Sequence, residues 1–591
     1  MGFNADIADT LERMGLTLEL LGESGFKVNA HARAARVIRD LAQDLSAIAD
    51  DEKALVAIDG VGKGIAKKIS EFAGSGTIVE AEKLRERVPA GLFDVLALQG
   101  LGPKTVRAMW EQLGIESIDD LSKATEDGSL AGLPRMGAKT IENIKDSIGF
   151  AALTEGRTRI GSAMVIAESI LDRLRAIDGV EDVAIAGSLR RGRETVGDLD
   201  FLAIAKGKAA ERVADAFRSD ASVERVLAAG ETKSSVLLAV DLGGKAGEVH
   251  IQADLRVVPA AVFGSALLYF TGSKAHNVRL RELAQKKGLT LNEYGLFPDD
   301  GEPASQRRSV KAKAAKTEQS IYKALGLPFI PPELREDRGE LDLTETPRLI
   351  EADDLIADLH AHTVASDGVM TIDEIAAEAI SRRYKVLAIT DHSQSQGIAN
   401  GLRPDRLREH IVAIREANER IEGITLLAGS EVDILSGGIL DYEDDLLAEL
   451  DVVVASPHHA LKQVEKHAMK RMLKAIAHPL VHIIGHPTGR LINKREGLPL
   501  VMDEIVAAAV EHDVALEINA NDARLDLRDA HVRAAVDGGA LLSINCDAHR
   551  AANFDMLRYG VATGRRGWLT PERCINTWDQ KKLLGWLKSK R

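Results

Sequence analysis

Beyond residue 350 the chain repeats one pattern: a short apolar, β-rich run followed within a few residues by His, Asp or Glu. Val386 to Ile389 precede Asp391 and His392, Ile424 to Ala428 precede Glu431, and Val452 to Ala455 precede His458. Val481 to Ile484 precede His486, and Leu541 to Ile544 precede Asp547. Helical patterns separate these runs. A strand apolar on both faces must be covered on both, which means a parallel sheet wrapped by helices. Ligand-type residues at the ends of several such strands predict a β/α barrel with a site on its C-terminal rim. All but three of the sixteen histidines lie in this part; His31, His250 and His276 precede it. Imidazoles mixed with carboxylates suit Zn²⁺ or Mn²⁺.

A second constellation lies upstream. Val183 to Ala186 reads as a strand entering the turn Gly187-Ser188-Leu189-Arg190-Arg191-Gly192, and Gly197-Asp198-Leu199-Asp200 follows. Asp residues at i and i+2 on a strand point the same way. Asp254, on the apolar run Val249 to Val258, supplies a third carboxylate. Three convergent carboxylates can hold two divalent cations, one activating an attacking 3′-hydroxyl and one stabilising a leaving pyrophosphate. Gly187 and Ser188 bring backbone and hydroxyl donors to a triphosphate, and Arg191 is placed to neutralise it. An isolated Asp-x-Asp is usually a solvated strand end. The Gly-Ser turn just ahead of it makes nucleotidyl transfer the better reading.

Residues 1–150 read as short helices parted by Gly-containing turns. The unit recurs as Asp59-Gly60-Val61-Gly62-Lys63, Gln99-Gly100-Leu101-Gly102-Pro103-Lys104 and Arg135-Met136-Gly137-Ala138-Lys139. Glycines allow the tight turn, and the next helix offers free N–H groups to a phosphate. One copy could be a plain helix cap; three copies ahead of a nucleotidyl-transfer motif favour a grip on a nucleic-acid backbone. Length and charge set the frame. A chain of 591 residues exceeds one core, so several domains are expected. The net charge of −14 is weighted toward the C-terminal part, and basic stretches remain at Arg33, Arg36 and Arg39 and from Arg307 to Lys316. A stripe of this kind suffices for nucleic acid, with affinity that falls as salt rises. No apolar stretch approaches a membrane span. Residues 1–6 carry neither a signal core nor, with Asp6, a complete myristoylation signal. Two cysteines, Cys546 and Cys574, make no disulfide framework, so a cytoplasmic, nucleoid-associated protein is expected.

With these motifs, residues 1–335 resemble the family X DNA polymerases, the group of DNA polymerase beta. Tyr269-Phe270-Thr271-Gly272-Ser273, then Asn277, Arg281 and Asn292-Glu293-Tyr294-Gly295, are similar to that family's nucleotide-selecting thumb. The resemblance implies that Tyr269 and Phe270 flank the incoming sugar and that Tyr269 screens against ribose. It implies that Gly187, Ser188, Arg191, Gly197, Gly272, Ser273 and Asn277 meet the nucleotide. It implies that Arg281, Lys233 and the hairpin residues Gly60, Gly62, Lys63, Gly100, Gly102 and Lys104 meet DNA. Lys68 matches the family's Schiff-base lysine of the deoxyribose-phosphate lyase. His31 stands where the vertebrate enzyme has a tyrosine and Gly64 where it has a lysine, so phosphate binding by Lys68 ranks ahead of lyase chemistry.

The C-terminal part resembles the polymerase-and-histidinol-phosphatase (PHP) domain. Its ligand pattern maps onto His360, His362, Asp367, His392, Glu431, His458, His486, Asp547 and His549, with Asp367 where many relatives carry His. The resemblance implies a cluster of about three metals, Mn²⁺ or Zn²⁺, with Glu431 bridging two, competent to cut phosphodiesters. His482 and His512 are expected to be core histidines, and His459 is unassigned. The expected fold is multidomain, α+β and α/β: lyase-like helices (1–80), helix-hairpin-helix fingers (81–150), a palm (151–258), a thumb (259–335), a linker (336–350) and the barrel (351–591). The expected activity is short-gap filling on gapped or primer-template DNA from deoxynucleoside triphosphates. Asp198, Asp200 and Asp254 would hold Mg²⁺ or Mn²⁺, the barrel would be a 3′–5′ exonuclease, and the protein would be a monomer with no membrane partner. Alternatives are a 3′-phosphatase or abasic-site endonuclease in the barrel, a small-molecule nucleotidyltransferase, and a DNA-binding scaffold with a structural cluster.

Overall fold

The computed structural model describes residues 3–41, 45–58, 60–98, 101–133, 136–137, 140–142, 144–145, 157–230, 232–243, 247–299 and 312–590. Gly100 lies outside them, as do Asp59, Gln99, Arg135, Ala138, Lys139 and the first part of the basic stretch from Arg307. The chain divides into two compact units, residues 1–155 and 156–591.

The first unit is helical. Phe3–Leu20 and Gly25–Asp40 pack along each other and bury Ile7, Leu11, Ala34 and Ile38. Two of the expected hairpins are present. Glu52–Ala57 leads through Gly60, at φ +91, to Gly62, which caps Lys63–Ser75. Leu92–Ala97 leads to Gly102, which caps Pro103–Leu113. Pro103 fits this start because its missing N–H would have had no partner inside the helix.

The second unit holds two large sheets and two small two-stranded ones. The palm sheet runs in the order Val180–Ile185, Asp198–Ala205, Glu248–Val258, Lys233–Asp241, Val223–Ala229. Only the pair Asp198–Ala205 and Glu248–Val258 is parallel. Helices Ile160–Arg175 and Lys208–Arg218 bury Ile166, Ile170, Val213 and Phe217 against it. The thumb follows, with helices Phe263–Thr271 and Lys274–Lys286 and the hairpin Leu289–Asn292/Gly295–Pro298.

The second sheet is the predicted barrel. Seven strands lie side by side in chain order, all parallel: Ala357–Asp358, Val386–Ile389, Thr425–Asp433, Val452–Ser456, Ile483–Ile484, Ala515–Asn519 and Leu542–Asn545. The first and last approach closure where the His362 N–H donates to the Ala548 carbonyl at 2.9 Å. Three details differ from the sequence reading. Glu431 lies inside the strand Thr425–Asp433 rather than after it. The run from Val481 contributes only two paired residues. Ala515–Asn519 was not singled out, because its polar members Glu517 and Asn519 break the apolar pattern while lying fully buried.

Residues 336–350 do not act as a solvated tether. Glu340 is buried against His276 (2.6 Å), Leu341 and Leu349 join the thumb core, and Ile350 joins the barrel core. The palm core in turn takes in Ile492, Leu525 and Tyr559 from beyond residue 350. Polar composition predicts a linker; here Glu336, Arg338 and Glu340 have buried partners, which composition does not reveal. No helix among the described residues is long and apolar enough to cross a membrane.

Candidate functional sites

The palm site follows from strand register. Asp200 pairs directly across from Asp254. Asp198, two residues earlier, shares the face of Asp200. Asp198 lies opposite Gln252, whose amide donates to Asp254 Oδ1 at 3.0 Å. The turn presses onto this cluster: Gly187 adopts φ +63, and a Cβ there would lie 2.1 Å from Asp200 Oδ2. Only glycine fits such an approach in that conformation. Burial, then the charges of Asp198 and Asp254, push the Asp200 carboxyl up to about 7. Burial and Asp254 raise Asp198 as well. Ser188 Oγ is buried with no hydrogen-bond partner. Crowded carboxylates that resist ionisation, beside an unpartnered hydroxyl, fit divalent cations and an anionic ligand.

Two predicted contacts are engaged differently. Lys233 Nζ lies 2.6 Å from Asp254 Oδ2, so this cation is paired with the carboxylate cluster. Arg191 is beside the turn, but its Nε donates to Glu336 Oε1 at 2.9 Å and its Nη1 to the Thr271 carbonyl at 2.7 Å. Sequence reasoning also missed Arg190, which donates twice to Glu318, at 2.8 and 2.7 Å. Arg335, fully buried, donates to the same carboxylate at 2.5 Å. These pairs bind the turn to the thumb.

In the thumb, a hollow is lined by Ser265, Tyr269, Asn277, Arg281 and Asn292. Tyr269 and Phe270 meet edge to face at 5.1 Å, and the Arg256 guanidinium lies 4.2 Å from the Phe270 ring centre. Asn277 Nδ2 donates to the carbonyls of Tyr269 (2.7 Å) and Gly272 (3.0 Å), holding the Tyr269 backbone. Ser273 caps the helix Lys274–Lys286, its hydroxyl accepting from the His276 N–H. In the helical unit, Gly62, Lys63, Gly102 and Lys104 are exposed at the two helix starts. Lys68 is not a free amine: its Nζ lies 2.7 Å from Glu80 Oε2.

The barrel brings ligands from many strand ends together. Eight of the nine expected residues form three overlapping groups: His362, Asp367, His392 and His549; His360, His362 and Asp547; His392, Glu431 and His458. The ninth, His486, places Nε2 2.8 Å from Glu431 Oε1. The cluster is buried; Asp367 and His549 are its most exposed members, with about a third of each side chain open. His486 (φ 25) and Asp547 (φ 51) hold positive φ, a strained backbone that tends to mark functional positions. His360 Nε2, both ring nitrogens of His362, and His392 Nδ1 are buried without an aligned hydrogen bond. Burial first, then His549 and His392, hold His362 down at about 4, leaving the neutral imidazole that a metal requires. Burial alone would raise the Glu431 carboxyl, yet His458, His360 and His392 outweigh it and hold it well below its usual range. This donor set fits the implied metals.

A second layer, missed from sequence, orients the ligands. Glu517 faces His360 Nδ1 at 2.8 Å, Asp433 faces His458 Nδ1 at 2.5 Å, and Asn519 donates to Asp547 Oδ2 at 3.1 Å. Such partners fix ring orientation and basicity. Asp391 accepts from Thr363 and Ser366 and faces His410 Nε2 at 2.8 Å, so it supports the site from behind. Arg524 is drawn in, 3.9 Å from Asp547 Oδ2. His459 lies 3.0 Å from Asp433. His482 is a core residue as expected, bonded to Val453 N and facing the Leu587 carbonyl. His512 is exposed at the end of the helix Met502–Glu511 rather than buried.

Family models match four stretches: a helix-hairpin-helix domain at residues 3–78, a SAM-like helix-hairpin-helix tandem at 93–149, the DNA polymerase beta thumb at 266–336, and a PHP domain at 358–521. The chain is 37% identical to the DNA polymerase/3′-5′ exonuclease PolX of Bacillus subtilis over 585 residues, 99% of each chain. It is 28% identical to DNA polymerase lambda of Rattus norvegicus over 349 residues, 56% of each chain. It is 31% identical to a probable phosphatase of Edwardsiella ictaluri over 240 residues, 39% of this chain and 93% of the relative. With a relative aligned nearly end to end and with models for the polymerase beta thumb and the PHP domain both matched, the chain belongs to the PolX family, the bacterial family X DNA polymerases that carry a PHP domain.

Proposed function

We propose that the chain is a DNA-directed DNA polymerase that fills short gaps in repair and trims 3′ ends in its barrel. The observation that carries this is the presence, in one chain, of two separate carboxylate-rich centres: Asp200 set against Asp254 behind Gly187, and the imidazole cluster around Glu431. The Bacillus relative's name joins the same two activities.

In the palm, Asp198, Asp200 and Asp254 would hold Mg²⁺ or Mn²⁺; bound, such ions activate the 3′-hydroxyl and stabilise the leaving pyrophosphate. Gly187, Ser188 and Gly197 present the triphosphate, with Arg191 beside them. Tyr269, its backbone held by Asn277, screens the sugar; Gly272 and Ser273 shape the turn beneath, and Arg281 meets DNA. The exposed helix starts at Gly62-Lys63 and Gly102-Lys104 grip the DNA backbone without reading sequence. Lys68, paired with Glu80, serves phosphate binding ahead of lyase chemistry.

In the barrel, the nine ligands would hold Mn²⁺ or Zn²⁺; such ions clamp a phosphodiester and supply the nucleophile from water. Arg524 faces the same rim. A 3′-phosphatase is the second reading, favoured by the phosphatase relative that covers this part of the chain. The substrates are gapped DNA and deoxynucleoside triphosphates, and the protein acts as a monomer at the nucleoid. The domain limits given above are part of this reading, except that residues 336–350 pack into the thumb and barrel cores rather than forming a linker.

One labelled gapped duplex, incubated with and without deoxynucleotides in Mg²⁺, Mn²⁺ or Zn²⁺, tests it. Nucleotide addition with Mg²⁺ or Mn²⁺ and 3′ shortening with Mn²⁺ are expected. No addition with any ion would overturn the polymerase reading; removal of a 3′-phosphate without shortening would replace exonuclease by phosphatase.

A further inference from the structure

The last helix residue of the barrel's segment Leu557–Arg566 reaches the polymerase turn. Arg566 is 3% exposed. Its Nη1 donates to the Arg191 carbonyl at 2.8 Å and to Glu336 Oε1 at 3.0 Å, the oxygen that also accepts from Arg191 Nε. The rest of its guanidinium donates twice to Asp529 Oδ2, at 3.0 and 2.7 Å. Arg338 Nη1 joins the same oxygen at 3.1 Å. The helix touches the turn a second time: a Cβ on Gly192 would lie 3.0 Å from Ala562 Cβ.

The backbone of Arg191 and the carboxylate that orients its side chain are thus held by one buried guanidinium. Glu336 engages the Nε edge of Arg191 and Thr271 engages Nη1. Among the described residues Nη2 makes no hydrogen bond, and Arg191 directly follows the turn Gly187–Arg190 with its unpartnered Ser188 hydroxyl. A guanidinium with two edges clamped loses little further freedom when a phosphate binds the third.

We infer that Arg566, a barrel residue, is a positioning residue for nucleotide binding: it and Glu336 hold Arg191 in the orientation that receives the triphosphate. The inference rests on the proposed role of Arg191. The contacts run unbroken from Asp529 through Arg566 to Glu336 and the Arg191 backbone. The barrel is therefore part of the polymerase's nucleotide site as well as the holder of its own.

The test is steady-state gap filling by the full chain, with inhibition by inorganic tripolyphosphate as a probe of the phosphate subsite. Arg191→Gln checks the underlying role and should raise both the nucleotide KM and the tripolyphosphate Ki. Arg566→Met should raise both about tenfold, as expected for a contact network of this kind, with kcat within twofold and 3′-end degradation retained. The double variant Arg566→Met/Glu336→Gln should cost less than the two singles combined, since both act through Arg191. Removing Arg566 strands Asp529, so folding is checked by 3′-end degradation. If Arg566→Met does not fold, Glu336→Gln and Ala562→Leu, which crowds Gly192, decide, and each should raise the same two constants. A raised KM in Arg191→Gln with unchanged constants in Arg566→Met, or in both substitutes, overturns the inference alone. Unchanged constants in Arg191→Gln overturn the role of Arg191 itself.

Discussion

The palm and the barrel both gather carboxylates, but by different means. The palm needs two adjacent parallel strands and one glycine turn; its three aspartates converge because of register, and Asp198 and Asp200 remain partly open to solvent. The barrel draws ligands from almost every strand end around a nearly closed ring and buries most of them, and then needs a second layer to satisfy their other nitrogens. The palm site is thus local and open, suited to a substrate that arrives with its own phosphates. The barrel site is global and mostly buried, and metals held there would become part of the fold.

The largest effects should separate the two. Asp198→Ala or Asp200→Ala should lower nucleotide addition roughly a thousandfold or more, while 3′-end degradation persists in the same preparation. Equal loss of both activities in a folded Asp200→Ala protein would break the comparison. Gly187→Ala should come next. Its methyl would collide with Asp200 and impose a strained φ costing about 1–2 kcal/mol. A fall in gap filling of at least about tenfold is expected, and a fully active variant would mean that the turn does not seat against Asp200.

Metal removal sharpens the contrast in stability. A chelator should lower the unfolding temperature of the chain, since the barrel's buried imidazoles and carboxylates lose the cations they face. Asp200→Ala should not reproduce that loss. Calorimetry with and without chelator measures both. At the sugar, Tyr269→Ala should admit ribonucleotides about tenfold more readily, measured as the ratio of kcat/KM for ribo- and deoxynucleotides. An unchanged ratio would remove Tyr269 from sugar selection.

The smallest effect lies in the seams of the palm. Burial would raise Glu336, but Arg566 and Arg191 bring it down to about 2, and burial opposed by Arg190 and Arg335 leaves Glu318 at about 2. Both folded values lie below the usual 4.5. Their contribution is therefore complete above about 4.5 and is lost as pH falls from there toward 2. Unfolding temperature followed across that window should drop, and drop less in Glu336→Gln.

The palm was legible in the sequence because its determinants are close in the chain: Gly187 to Asp200 is one string, and only Asp254 is remote. The barrel's class was legible from apolar runs, and His392, Glu431, His458, His486 and Asp547 from their place just beyond them, but the full set of nine came from resemblance, because His360, His362, Asp367 and His549 follow no such run. What stayed hidden was pairing. Glu517 and Asn519 are polar residues in a strand, and nothing local says that they face His360 and Asp547. Nor does anything near Lys233 in the chain say that Asp254 stands beside it. Residues 336–350 looked solvated because composition does not show that Glu340 meets His276. Ile492, Leu525 and Tyr559 entered the palm core from hundreds of residues away, which no window on the sequence spans.

The most direct test of two independent centres is Glu431→Gln, assayed for bound metal, 3′-end degradation and gap filling on one preparation. This substitution keeps the volume of the residue at the centre of the cluster and removes its charge. Two-site independence predicts lower metal content, 3′-end degradation reduced about a hundredfold, and gap filling close to that of the unmodified protein. Undiminished degradation with an emptied cluster, or parallel loss of gap filling in a folded protein, would contradict it.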